Sequence, residues 1–382
     1  MQRSTVVLLA VVALTACHSR RSAVFGHLNG GVDAERVETH DLAVQSGERL
    51  HLATPHGSIV VRAEPGAAAR LVATWRASGR TKDEAEQVLA RYSLAVDTER
   101  GRTRVQLHGD PTRVRDDDAR FSLGAVVDYE VTLPENVELH AETSSGDIRV
   151  VGSLASCRLD TQYGTIAAEG TRGDVTMHSA SGDVSVRDVS GGSVSADSGY
   201  GAVRLENVEA TTLRGASKSG DVVLVNGRAP KIDLDTDYGA VSVRGATGRL
   251  AASSRSGDVD LAEVEGGVVA KTMYGRVAVD GVLGAVDARS SSGDVAVRAK
   301  QGSSDDTNWE ITSGYGSVTL YVPSDFACEL AASTRYGSVD CAFPIAIETK
   351  KRRDGALKGV IGRGGRTVTM SSGSGNVAVK QL

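Results

Sequence analysis

Two kinds of residue recur through this chain with chemistry to offer. Tyr163, Tyr200, Tyr238 and Tyr274 each stand immediately before a glycine, in alternate copies of a short repeat. Asp183, Asp221, Asp258 and Asp294 each stand immediately after the glycine in the copies between. A row of tyrosines offers flat apolar faces with a hydroxyl at the rim, suited to stacking on a ligand such as a sugar polymer. A row of carboxylates offers acceptors or, where two converge on one bond, the acid and base of glycoside cleavage. These acids are spread evenly along the repeat, and no base accompanies any recurring hydroxyl. The pattern therefore predicts a surface, with no catalytic residues and no cofactor. All eight histidines precede residue 180, so no His-based metal site or triad can form in the later copies, and no metal is expected.

The glycines that set this frame are Gly146, Gly164, Gly182, Gly201, Gly220, Gly239, Gly257, Gly275, Gly293, Gly316, Gly337 and Gly375, spaced 18 or 19 residues apart as far as Gly293. A fixed period near 20 marks a stacked repeat. Three residues before each glycine stands Ser or Thr, from Thr143 to Ser372. Five and seven before it, and two and four after it, the residues are mostly apolar, as in Val175, Met177, Val184 and Val186. This is a period-2 pattern on both sides of a turn, so each copy is two short strands with inward faces. Strands this short bury their faces only by stacking. The fold class expected is all-β, a parallel β-helix of ~18–20-residue coils, with parallel ladders ~4.8 Å apart. The inward Ser/Thr row then forms a hydroxyl ladder, each group bonding its neighbours.

The alternation of small and large before the glycine, and of acid and non-acid after it, reads as packing and charge spacing. Each Tyr ring would lie over the Ser of the next coil. Carboxylates on every second coil sit ~9.6 Å apart, where like-charge repulsion is largely screened. An exposed ligand face is the competing reading.

With 44 glycines, seven prolines and few aromatics in 382 residues, the composition suits many short strands. The net charge of −5 gives no reason to expect nucleic acid. Arg3 and the apolar run from Val6 to Ala13 have signal-peptide character and are too short to span a bilayer. Leu14-Thr15-Ala16-Cys17 resembles a bacterial lipobox, which implies a signal peptide over 1–16 and lipid on Cys17. His18 rather than Asp follows, which favours the outer membrane.

Residues 17–41 read as the lipidated cysteine and a polar tether, 42–136 as a β-rich N-terminal segment, and 137–382 as the solenoid. An isolated further copy sits around Gly57. Thr81 to Glu84 forms a capping box for one helix over about 82–92. Strands are expected at Leu94 to Asp97, Thr103 to Leu107 and Val126 to Leu133, with the acidic loop Asp116, Asp117 and Asp118 between the last two. A basic insertion, Phe343 to Arg366, interrupts the last copies. Cys328 and Cys341 lie in the two strands of one coil and could be bridged if their Cα atoms come within ~7 Å.

Val131-Thr132-Leu133-Pro134 leading into Val137 to Val150, the S-G-D-V copies, and the closing glycines before Val368 to Val379 together resemble a bacterial family of β-strand-repeat proteins of unknown function, described as adhesin-like. The resemblance spans roughly Leu50 to Leu382 and implies a right-handed parallel β-helix in a secreted or envelope-anchored protein. The expectation is a non-enzymatic, lipid-anchored envelope protein whose solenoid serves adhesion, scaffolding or sensing. Its partners would be the membrane, through the lipid, and an envelope protein or polysaccharide. The alternative is a polysaccharide-binding or polysaccharide-active β-helix.

Overall fold

The computed structural model describes residues 32–109, 125–304, 306–351 and 355–382. Cys17 and the acidic triplet Asp116 to Asp118 lie outside them.

The coil around Gly182 shows how the repeat folds. Val175, Met177, Val184 and Val186 are all buried, and Thr176 and Ser185 between the members of each pair face outward. Each strand pairs in parallel with its equivalents one coil away, Leu159 with Met177 before the glycine and Val184 with Val203 after it. The inward faces of the two ladders form one continuous core, each buried Val or Leu contributing ~1.5–3 kcal/mol. A second corner is turned in the left-handed region at Asp188, Asn207 and Asn226, with φ of 54°, 53° and 56°. Asx side chains tolerate that conformation. Here they also bond along the stack: the Asn207 amide donates to Asp188 at 2.8 Å, and that of Asn226 to Asn207 at 3.0 Å.

Why glycine holds the first corner follows from close approach. A Cβ on any of the thirteen glycines from Gly57 to Gly375 would lie 2.0–2.4 Å from a main-chain oxygen of the coil beneath. Those contacts also give the stacking order. Gly57 sits directly below Gly146, so its coil belongs to the main stack and is not an isolated copy. At the far end the order departs from the sequence. The strands Thr367–Ser374 and Val377–Gln381 lie between the coil of Trp309–Ser313 and Val318–Val322 and that of Cys328–Tyr336 and Val339–Cys341. Beyond this last coil the expected insertion forms a hairpin, Ile345–Lys351 with Ala356–Ile361, whose second strand runs antiparallel to Cys328–Tyr336.

The N-terminal segment comprises β1 (Val32–Asp41), β2 (Arg49–His56), β3 (Ile59–Glu64), β4 (Arg70–Gly79), α1 (Lys82–Ala90), β5 (Ser93–Glu99), β6 (Arg102–His108) and β7 (Ala125–Pro134). The tether expectation is corrected here: residues 32–41 pair along their whole length with β4. Only Ala34 of β1 is buried, so hydropathy gave no sign of this edge strand. β6 and β7 follow β2 and β3 in sequence yet stack on their open edges, forming the coil below Gly57. The helix matches its expected start: the Thr81 hydroxyl accepts the Glu84 N–H at 3.3 Å, while Glu84 accepts the N–H of Arg80 rather than that of the cap residue.

Candidate functional site

The twelve Ser/Thr residues three before the glycine are all buried. Their bonding corrects the expected ladder, because the hydroxyls do not bond one another. Each donates to the glycine carbonyl of the coil beneath, for example Ser217 to Gly201 at 2.9 Å and Ser372 to Gly316 at 2.8 Å. Several also accept the N–H of their own glycine, as Ser217 does from Gly220 at 2.9 Å. Both functions of the hydroxyl go to the backbone of the corner.

The aspartates are also bonded. The backbone N–H of the residue after the glycine donates, at 2.7–2.8 Å, to the carboxylate of the coil beneath: Thr165 to Asp147, Ala202 to Asp183, Ala240 to Asp221, Arg276 to Asp258 and Ser317 to Asp294. Ser58 makes the same bond to Asp128, and Ser338 to Asn376 at 3.0 Å. Coils are therefore joined in pairs, an acceptor coil below and a donor coil above. The bond gives the acid row a role beyond charge spacing, and a neutral Asn serves in the same place.

Before the glycines, stack order runs Ser145, Tyr163, Ser181, Tyr200, Ser219, Tyr238, Ser256, Tyr274, Ser292, Tyr315, Ser374, Tyr336. In sequence the alternation fails, because Tyr336 follows Tyr315 in the next copy. In space the intercalated coil places Ser374 between them and the alternation is unbroken. The rings are not folded over their serine neighbours as expected. The six are 64–75% exposed and form a single file along the corner, directly beside the exposed Asp row.

Away from this ridge, a shallow concavity of about 230 Å³ is lined by Glu169 and Glu206, whose carboxylates are paired with Arg149 and Arg187. The fold does bring together three donors that sequence reasoning missed, His51, His140 and Glu142, with ligand atoms within 4.8 Å of one another. His51 Nε2 lies 3.1 Å from Glu142, and His140 Nε2 lies 3.5 Å from Asp160. The imidazoles stack with centroids 4.5 Å apart and planes 18° apart, so their in-plane lone pairs run side by side and do not converge. Burial, then the His140 charge, holds the His51 pKa below its ordinary value against the pull of Glu142. A surface concavity of about 470 Å³ beside Thr319, Cys341 and Lys380 contains one carboxylate, Asp340, and so no acid–base pair. Cys157, Cys328 and Cys341 are free thiols, so the bridge considered for the last two is not formed. Arg366, read as part of the basic insertion, is buried over the Phe326 and Trp309 rings, at 4.4 and 5.1 Å from their centroids.

Residues 53–280 and 256–380 match the family profile described as Toastrack DUF4097. No curated protein matches the chain. Among solved structures it is similar to a candidate cell adhesion protein from Clostridium sporogenes, at 9% identity and a TM-score of 0.20 over 92% of this chain and 100% of that one. A candidate lipid binding protein from Parabacteroides distasonis matches at 13% identity and TM-score 0.38, over 74% of this chain and 96% of that one. A candidate adhesin from Bacteroides fragilis matches at 12% identity and TM-score 0.26, over 90% and 97%.

Proposed function

The chain belongs to the Toastrack DUF4097 family, and we propose that within it this protein is a non-enzymatic, lipid-anchored envelope protein. Its solenoid presents the tyrosine ridge as an adhesion surface. The observation that carries this reading is the single file of six exposed rings, alternating without a break in stack order. Exposed rings add little to folding, whereas aromatic side chains dominate recognition at interfaces. The hydroxyls and carboxylates of the same corner are committed to backbone bonds, so the corner offers a contact surface and no assembled acid–base chemistry. The anchor is the lipid on Cys17, inferred from the lipobox-like sequence, with the outer membrane as its place.

The test is crosslinking in the native envelope, comparing the natural chain with one carrying Tyr200→Ser, Tyr238→Ser and Tyr274→Ser. Loss of captured partner with an unchanged melting temperature supports the ridge; full capture by the triple variant refutes it. For the anchor, Cys17→Ala should leave the membrane fraction, and continued fractionation with membranes would refute lipidation there.

A further inference from the structure

Resting on the ridge reading, we infer that its ligand is an extended, uncharged polysaccharide lying along the stack, with every second sugar ring seated on a tyrosine. Three observations point to it.

The first is that the alternation belongs to the surface and not to the sequence. It survives the one place where a coil is intercalated out of order, so the spacing of the rings is what persists. Nothing in the coil requires Tyr, because Ser occupies the same position in every other coil. The turn itself is built by glycine, the buried hydroxyl and the Asp or Asn acceptor.

The second is the spacing. Alternate coils place rings ~9.6 Å apart, and the ten coil steps from Tyr163 to Tyr336 span roughly 48 Å. In an extended β-linked chain successive sugars are turned over, so the same face recurs on every second residue, at a comparable distance. A single coil step then corresponds to one sugar, with Ser219 or Ser256 beneath the residue that does not stack.

The third is the company the rings keep. Asp147, Asp183, Asp221, Asp258 and Asp294 are exposed beside the file, and each spends one oxygen on a backbone N–H. The second oxygen remains an acceptor for sugar hydroxyls, and with exposed Lys218, Arg255, Arg276 and Arg335 beside the five carboxylates the ridge has mixed charge and no single-sign field to select a charged chain. A polyproline II peptide has a similar repeat of ~9.3 Å, but such peptides dock in aromatic-lined grooves. A single file on an outer corner offers faces and no grooves.

The experiment moves one ring by one coil while keeping the number of rings. Ser219 is exposed, so Ser219→Tyr with Tyr238→Ser is compatible with the fold, which circular dichroism checks. Calorimetric titration uses tetra-, hexa- and octasaccharides of β-1,4-linked glucose and of β-1,4-linked N-acetylglucosamine. For the natural chain, affinity for at least one series should rise about tenfold or more with each added disaccharide, as linked contacts add. The ring-shifted variant keeps at most three rings in register under eight sugars, such as Tyr274, Tyr315 and Tyr336, so it should bind the octasaccharide no better than the natural chain binds the hexasaccharide. Failure of both series to bind the natural chain overturns the inference, as does a ring-shifted variant that binds like it. If neither series binds while the triple Ser variant still loses its envelope partner, the ridge remains the contact surface and its ligand is a protein. A proline-rich peptide that binds in their place identifies that class. If the triple variant keeps its envelope partner, the ridge reading itself fails.

Discussion

Replacing Asp221 by Ala and by Asn separates two explanations of the acid row. The Ala240 N–H donates to Asp221 Oδ1 at 2.8 Å. A hydrogen bond to a charged group contributes ~1.5–3 kcal/mol where solvent is excluded. Asp221 is exposed, so water competes for both partners and about 1 kcal/mol is the reasonable share. Asp221→Ala leaves the amide to water and should cost that amount. Asp221→Asn keeps an acceptor, as Asn376 does for Ser338 at 3.0 Å, and should cost less than about 0.5 kcal/mol. If the acids were merely spaced to limit repulsion, both variants would relieve charge and be neutral or stabilising. Global unfolding of a repeat array is a poor reporter because its cooperativity can break down. The direct assay is amide hydrogen exchange at Ala240, where 1 kcal/mol of local stability is about a fivefold rate change. The natural chain and Asn should exchange alike there and Ala about fivefold faster. Identical exchange in all three would refute the capping role.

Other outcomes follow from the same geometry. Gly239→Ala puts a Cβ 2.2 Å from the Gly220 oxygen and should cost about 3 kcal/mol by forcing two coils apart; a natural urea midpoint would show that the column is not closely packed. Val222 is fully buried, so Val222→Asp strands a carboxyl between coils and should cost several kcal/mol, read as a lowered melting temperature. Burial pushes the thiols of Cys157 and Cys328 up to about 12, and burial also raises that of Cys341, which is half-exposed to solvent. Since the thiolate is the nucleophile, iodoacetamide at pH 8 should label Cys341 slowly in the Cys17→Ala chain and leave Cys157 unmodified until denaturant is added. Prompt labelling of Cys157 would contradict its buried position.

The coil itself was legible because its determinants are local and recur. Glycine at the corner, hydroxyl three before it and apolar residues at fixed offsets each repeat often enough to reveal parity. Helix α1 was legible for the same reason: its cap and its buried Ala85, Val88 and Leu89 lie within one short stretch. What stayed hidden depends on partners that sequence does not display. The donor to the Asp row is a backbone amide, which leaves no mark on side-chain type. His51 and His140 meet only because β2 pairs with the strand Glu138–Ser145 across an inserted segment. The direction of the tyrosines could not be read because the period-2 rule lapses at the turn. Stack order was the subtlest loss, although a trace of it lay in the sequence. The break between Tyr315 and Tyr336 is repaired by placing Ser374 between them, so an alternation taken as spatial would have found the intercalated coil.

That coil supplies the last prediction. Residues 367–381 close the sequence but not the stack, and both of their faces are paired. Thr367–Ser374 lies between Trp309–Ser313 and Cys328–Tyr336, and Val377–Gln381 between Val318–Val322 and Val339–Cys341. Deleting residues 367–382 removes four buried apolar side chains, Val368, Met370, Val377 and Val379, worth together roughly 6–12 kcal/mol as an upper bound. It also takes from Cys328–Tyr336 its one parallel neighbour among the described residues, leaving the antiparallel strand Ala356–Ile361, which cannot hold the coil on the stack. Hydrogen exchange should therefore show residues 326–361 unprotected in the truncated chain, with protection from 137 to about 299 retained. Stacking in sequence order predicts otherwise, because the deleted coil would then be only an outer cap. Retained protection across Cys328–Tyr336 would mean that this coil rests directly on Trp309–Ser313, and the unbroken alternation of the ridge would fall with it.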